Sequence, residues 1–333
     1  MRHHYWAWYI PTYLFLGGLG GGIMFLSMIL SVFVYPGSEA VVQALWLPVF
    51  FALACIAVGC LFLILDLGQP TVFYRAFVKN KSVIAWGARC LSVCMIFALL
   101  WWLSAIPMVA PIDCLRPIVD FFMTFRVFNM VLSGIAGACV MIYTGAMLST
   151  LKAHSWWATP ALPILFTVSA TSTGCAGIML FAGIHPLGGT ADVLLATEAV
   201  HHFVHTGDII LVFSELFILL TMVLSFLGAG NKVQNAAAHR WIHGSYAFPF
   251  WFGMILCGLV IPQTINLFCG EIAILSYVIG PLFVLFGGCL LRFLCIQSDD
   301  RAEIPGESRY FSRLKKKGEA EFLTRWEYGK NEF

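Results

Sequence analysis

Polar residues in this chain are gathered into short clusters, and the apolar stretches between them are long. Eight such stretches, at about 8–34, 43–65, 83–104, 121–148, 159–184, 194–227, 243–262 and 271–295, each meet the ~20 residues that an α-helix needs to cross ~30 Å of hydrocarbon. The pattern predicts an all-α integral membrane protein with eight transmembrane helices. An even number of crossings places both ends of the chain on one side. The first stretch follows Met1-Arg2-His3-His4 with no small-residue cleavage site, so it reads as a retained span and not as a signal peptide. Trp6, Trp8, Trp46, Trp86, Trp156, Trp157 and Trp241 fall near the ends of the stretches, where indole rings are expected to anchor at the membrane interface.

Composition supports this reading: 60% of residues are hydrophobic, 11% are charged and the mean hydropathy is +0.87. An ordinary soluble domain carries about twice that share of charge. The net charge is +2, but nine of the nineteen Lys and Arg lie from Arg292 onward. That short basic tail is not a basic domain with stacking aromatics, so the lipid bilayer is an expected partner and nucleic acid is not. Loops after the second, fourth and sixth spans carry Arg75, Lys79, Lys81, Lys152, Lys232 and Arg240, whereas loops on the other face hold only Arg116. The positive-inside rule then puts both termini in the cytoplasm. A partner subunit with acidic patches, docked on the basic face, would explain the same asymmetry. The eleven cysteines contain no C-x-x-C, and their closest pairs, Cys90/Cys94 and Cys55/Cys60, sit inside apolar spans where cysteine behaves as a small hydrophobe. No disulfide framework, iron–sulfur ligation or metal site is expected of this chain.

Candidate chemistry starts where the second stretch stops on Leu65-Asp66-Leu67-Gly68-Gln69-Pro70. A carboxylate in the last turn of a span costs free energy unless it is paired or protonated. Tyr13 lies within two turns of the start of the first span, Arg89 opens the third, Tyr143 is near the end of the fourth and Arg292 is near the end of the eighth. With Asp66 these make five polar residues at one level of the membrane. Singly, each has a plainer explanation as an interfacial anchor or a snorkelling cation. Beside them, Gly17/Gly21 and Gly18/Gly22 repeat at four residues in the first span, a spacing that ordinarily lets helices approach closely. So dense a run also leaves backbone bare enough for a flat ligand to lie against it, with Gly18 in that wall. A quinone needs such a pocket, with apolar walls, donors for two ring oxygens and a group that takes or gives protons. Asp66 is the candidate proton acceptor, with Arg75 or Arg89 beside it as counter-charge, and Tyr13 and Tyr143 are candidates to hydrogen-bond the ring oxygens.

The sixth span holds a second constellation of Glu198, His201, His202, His205, Asp208 and Glu215. His201, Asp208 and Glu215 are successive sevens and stack along one line over ~21 Å, with His205 and Glu198 bordering it. An unpaired acid at mid-membrane costs ~2.5–3.5 kcal/mol on insertion scales, so this line faces protein and not lipid. It is either a polar seam that holds helices together or a proton path running inward from the face opposite Asp66. His201/His205 and His239/His243 are i,i+4 pairs on opposite sides of the membrane, so they cannot share one haem. Gly22-Ile-Met-Phe-Leu recurs loosely as Gly177-Ile-Met-Leu-Phe, which hints at two four-helix units.

Several of these stretches together resemble the NrfD/PsrC family, the quinone-reactive membrane subunits of polysulfide reductase-type complexes. They are Trp6-Ala-Trp8 with Tyr13-Leu-Phe-Leu-Gly-Gly, Leu65-Asp66-Leu67-Gly68-Gln69-Pro70 with Ala85-Trp86-Gly87, Tyr143-Thr-Gly-Ala-Met-Leu-Ser149 with Leu162-Pro163, and Gly287-Gly288 with Leu291-Arg292. The resemblance implies eight helices in two four-helix bundles, at 1–152 and 153–295, followed by an extramembrane tail at 296–333. It also implies a menaquinol site in the first bundle, no haem, and residence in the bacterial inner membrane. Electron exchange is then expected with a four-cluster ferredoxin-like iron–sulfur subunit that serves a molybdopterin-type catalytic subunit. Tyr13, Asp66 and Tyr143 would belong to the quinol site, and Asp208, Glu215 and Arg292 would be the functional polar residues of the second bundle. Gln69 stands where the family often has Arg. The chain on this reading is not catalytically complete alone. A secondary transporter or proton-coupled channel is the alternative, since intramembrane acids and repeats also occur there. A purely structural anchor would leave the five level polar residues unexplained.

Overall fold

A computed structural model of the chain describes residues 8–66, 83–109, 121–152, 154–182, 184, 190–228, 232–268, 272 and 274–298, with the side chains of Asp66, Pro107, Met108, Val109 and Lys232 excepted. The described residues are overwhelmingly helical and include no strand. Helix is what a chain this apolar must form in lipid, because no water is present to satisfy free backbone N–H and C=O groups. The order is α1 (Tyr9–Met28, continued by a π-helical turn at Ile29–Val34), a short α2 (Glu39–Ala44), α3 (Trp46–Asp66), α4 (Val83–Val109), α5 (Arg126–Ser149), α6 (Ala161–Ala182), α7 (Ala191–Gly228) and an interfacial α8 (Lys232–Ile242). A π-helix at Pro249–Val260 leads into α9 (Ile261–Phe268), and a second at Leu275–Ile279 leads into α10 (Gly280–Gln297). Eight of these segments are long and apolar enough to cross a membrane.

Seven of the eight crossings lie within a few residues of the stretches read from hydropathy. The seventh differs more, since it runs over Pro249–Phe268 and not 243–262. Its displaced end carries Gln263 and Asn266 into the span, where both side chains are buried.

The innermost helix is α1, 72% of whose apolar window is buried, against 33% for α4 and for α7. It packs on α3, α5, α6 and α10. Its glycines make this density feasible. A Cβ on Gly21 would come within 2.7 Å of the Gly137 carbonyl oxygen in α5, and one on Gly22 would run into the backbone of Ala170 in α6. The glycine run therefore serves close packing on several sides, the use such spacing most often has. Gly258 and Gly287 make a comparable crossing between the first π-helix and α10. Outward-facing apolar residues such as Phe213, Phe217 and Leu224 on α7 remain exposed, as lipid-facing positions do.

At the face where α1 begins, α8 closes the end of α10. Trp157 Nε1 donates to the Cys295 carbonyl at 2.9 Å, Arg240 Nη2 donates to the Ser298 carbonyl at 2.9 Å, and Trp241 Nε1 donates to Ser298 Oγ. These donors satisfy the end of a helix whose last carbonyls lack intrahelical partners. Trp156 and Trp241 meet edge to face at 5.0 Å between Phe226 and Phe250. Trp156, Trp157 and Trp241 are thus buried helix-locking residues, contrary to the interfacial belt expected of them, whereas Trp8 and Trp86 are exposed as belt residues are. On the opposite face Ser38 caps α2, and Glu39 pairs with Arg126 at 3.5 Å.

Candidate functional site

Polar groups inside the membrane region form two constellations on different sides of α1. The first contains Tyr13, Tyr143 and Cys60. Tyr13 and Gly17 are one turn apart on α1 and face α3 and α5: the Tyr13 ring lies against Gly59, and Val140 stands over Gly17. Tyr143, from α5, lays its ring on Gly87 of α4, where a Cβ would have no room. The two phenols are near enough for their hydroxyls to interact with each other, though not in ordinary hydrogen-bond geometry, and the Cys60 thiol acts on both. Tyr13 is 1% exposed and its hydroxyl is buried without a hydrogen-bond partner of ordinary geometry. The Tyr143 hydroxyl donates to the Met147 sulfur at 3.4 Å, a soft and weak acceptor. Two phenols thus stand in an apolar wall with little or nothing of their own to bond.

Asp66 is the last residue of α3, seven residues or ~10 Å beyond Gly59, where Tyr13 packs. One turn before it, Phe62 meets the rings of Trp8 and Tyr9. The Asp66 side chain, Gln69 and Arg75 lie outside the described residues. Arg89 is on α4 two residues past Gly87, and its guanidinium sits 5.5 Å from the Trp86 ring centroid.

Arg292 does not join this group. It is 1% exposed on α10, where its Nη1 donates to Ser169 Oγ and to the Gly288 carbonyl, both at 2.7 Å, and its Nη2 donates to the Phe166 carbonyl at 3.4 Å. Phe15 and Phe166 flank the guanidinium. Gly18 faces this side as well: a Cβ there would lie 3.5 Å from Arg292 Nη2 and 3.3 Å from Ala170 Cβ. Grouping by depth alone therefore splits, with Tyr13 and Tyr143 together and both Gly18 and Arg292 on the α6–α10 side.

The second constellation is the seam on α7 with its partners. Glu215 interacts with Ser169 and lies in the field of Arg292, so Ser169 stands between an acid and a base. Asp208, fully buried, accepts from Ser172 Oγ at 2.8 Å, and Asn266 Nδ2 lies 3.4 Å from its other oxygen. Further along α7, the ring of His201 meets Tyr277 edge-on at 4.2 Å, and both its nitrogens are buried without partners. His205 Nε2 is also unpartnered. The seven-residue spacing placed His201, Asp208 and Glu215 on one line, and all three are buried there together.

Sequence reasoning missed Ser169, Ser172, Gln263 and Asn266. Ser169, Ser172 and Thr173 form an i,i+3,i+4 stripe on α6, and Gln263 and Asn266 form an i,i+3 pair on α9. Those spacings were the available signal.

Eight apolar crossings around a glycine-rich central helix, with two buried polar clusters, define a polytopic membrane protein. Residues 1–298 match the family model "Polysulphide reductase, NrfD", and the chain belongs to that family. It is 27% identical to protein NrfD of Escherichia coli over 280 residues, 78% of this chain and 84% of that one. It is 27% identical to a component of the polysulfide reductase of Wolinella succinogenes, over 78% of this chain and 82% of the relative. With a component of the selenate reductase of Mesobacillus selenatarsenatis the identity is 25%, over 77% of this chain and 65% of that one. The chain is accordingly a multi-pass membrane subunit of a family that includes subunits of oxidoreductases.

Proposed function

We propose that this chain is the quinol-oxidising, or in reverse quinone-reducing, membrane subunit of a multi-subunit oxidoreductase in a bacterial inner membrane. The relatives that are components of polysulfide and selenate reductases support the subunit role. The observation that carries the quinol site is the buried Tyr13–Tyr143 pair, with one hydroxyl unpartnered and the other on a thioether. A buried hydroxyl without a partner costs about 1–3 kcal/mol, so its retention fits a site that a ligand oxygen completes. The donors fit a quinone: two hydroxyls on separate helices, set among apolar side chains.

A bound menaquinol supplies two electrons and two protons. Tyr13 and Tyr143 hold ring oxygens by hydrogen bonds, the helices around them exclude water, and Asp66 accepts the two protons in turn and passes each to water at the α1-start face. Arg75 and Arg89 add positive charge on that side. The electrons pass to an iron–sulfur subunit, of the four-cluster ferredoxin-like kind, that serves a molybdopterin-type catalytic subunit. On the other side of α1, His201, His205, Asp208, Glu215 and Arg292 form a proton pathway reaching in from the opposite face. The division into bundles at 1–152 and 153–295 follows the same separation of roles.

Turnover of the purified complex with a menaquinol analogue, set against turnover with a soluble donor that bypasses the membrane subunit, tests the reading. Tyr13→Phe and Asp66→Asn are expected to leave the complex assembled and the bypass activity intact while removing the menaquinol-linked activity. Normal menaquinol turnover in both variants would overturn it. A chain that purifies alone and binds a transported solute would favour the transporter alternative.

A further inference from the structure

Asp208 is wholly buried in α7, and the charged side chain whose field it feels most is another carboxylate, Glu215. Ser172 and Asn266 reach Asp208, and the helix that carries Asn266 holds polar atoms beyond what the local hydrogen bonds use. Ser172 Oγ is 2.8 Å from one carboxylate oxygen, and the Asn266 amide is 3.4 Å from the other. Asn266 Oδ1 and both polar atoms of Gln263, one turn earlier on α9, are buried with no partner, each residue being 6% exposed. Asn266 Oδ1 also lies 3.7 Å from where a Cβ on Gly280 would stand, at the end of the π-helix Leu275–Ile279.

A buried anion with only neutral donors beside it is costly, and so is each buried amide atom left without a partner. A small dehydrated cation answers both deficits at once: the carboxylate neutralises it, while amide carbonyls and a hydroxyl replace its water. Asn266 presents Oδ1 to such an ion after a half-turn of its amide. One carboxylate balances one charge, so a divalent ion is disfavoured, and Mg²⁺ in particular keeps its waters. The proposed ligands are all oxygens, which suit a hard cation better than a transition metal, and the one thiol in the field of Asp208, that of buried Cys175, is not among them. Irregular helices beside buried acids are also the setting in which membrane proteins hold Na⁺.

We propose that Asp208, Ser172, Asn266 and Gln263 form a binding site for a dehydrated monovalent cation of sodium's size. The site requires nothing of Tyr13, Tyr143 or Asp66; it does share Asp208 with the proton pathway proposed above, so a bound ion and a proton compete for that carboxylate.

Equilibrium binding of ²²Na⁺ to the purified full-length chain in a choline buffer, together with thermal melting in NaCl, LiCl, KCl and choline chloride, provides the test. Expected is saturable binding of one ion per chain, displaced by Li⁺ in preference to K⁺, and a melting point a few degrees higher in Na⁺ than in choline. Asp208→Asn is expected to abolish the binding while melting in choline at or above the wild-type temperature. Asn266→Ala, which keeps the carboxylate, is expected to weaken binding about tenfold or more. No saturable ²²Na⁺ binding by the wild type, or wild-type affinity in Asp208→Asn, overturns the site. If Asp208→Asn does not fold, unchanged affinity in Asn266→Ala overturns it. Neither readout uses quinol turnover, so the site and the quinol reading stand or fall separately.

Discussion

On the α3–α5 side of α1 the polar atoms are few and poorly partnered: the Tyr13 hydroxyl has only the neighbouring phenol, outside ordinary hydrogen-bond geometry, and Tyr143 has a sulfur. Around Arg292, on the α6–α10 side, they are many and bonded to one another, with the guanidinium shared among Ser169, Gly288 and Phe166. Both regions are buried to a similar degree, so exposure to water does not explain the contrast. The difference is in what each arrangement requires. A network whose members bond one another, here with only Arg292 Nε left over, fixes helices in place and costs most when a member is removed. Isolated donors in an apolar wall stabilise little by themselves and gain a purpose when something else brings the acceptors.

Mutations can break or sharpen that contrast. The largest effect is expected from Arg292→Met, which strips Ser169, Gly288 and Phe166 of their donor and Glu215 of its counter-charge. A loss of about 3–5 kcal/mol, read as a lower melting temperature or a smaller folded fraction in detergent, is expected. A wild-type melt would mean that the Arg292 network holds nothing together. Gly87→Ala comes next: the Tyr143 ring must leave its seat on α4, for about 1–3 kcal/mol of overpacking, and menaquinol-linked turnover falls with it. Tyr13→Phe has the smallest expected effect on stability, within about 0.5 kcal/mol of the wild type, because the hydroxyl removed has no hydrogen bond of ordinary geometry to lose and only a neighbouring phenol beside it. A strongly destabilised Tyr13→Phe protein would show that its hydroxyl has an internal partner and would erase the difference between the two sides.

The crossings were legible because length and hydropathy are properties of a contiguous stretch, and a helix is the form lipid imposes on it. The seventh ends six residues later than expected because Gln263 reads as the end of an apolar run, whereas its burial keeps it inside the span. Half of the seam was legible for the opposite reason. His201, Asp208 and Glu215 share one helix, so their spacing alone aligns them. Their partners Ser169, Ser172 and Asn266 come from other helices, and nothing in the spacing of one helix announces which neighbour it meets. The same limit explains Arg292. Its depth was readable from its distance to the end of its span, but which side of α1 it approaches depends on packing that no single stretch contains. The tryptophans near span ends were similarly ambiguous, since Trp157 and Trp241 lie near a boundary and yet turn inward to the end of α10.

The adjacency of Gly17 and Gly18 carries a genetic consequence. About 100° of rotation separates consecutive positions on a helix, so these neighbours address different rooms, one occupied by the phenols and the other by the guanidinium. A methyl at Gly17 would rest in ordinary contact with the Tyr13 ring and Val140, whereas one at Gly18 would press on Ala170 beside Arg292, so each codon of the dipeptide addresses one half of the molecule and only the second crowds it.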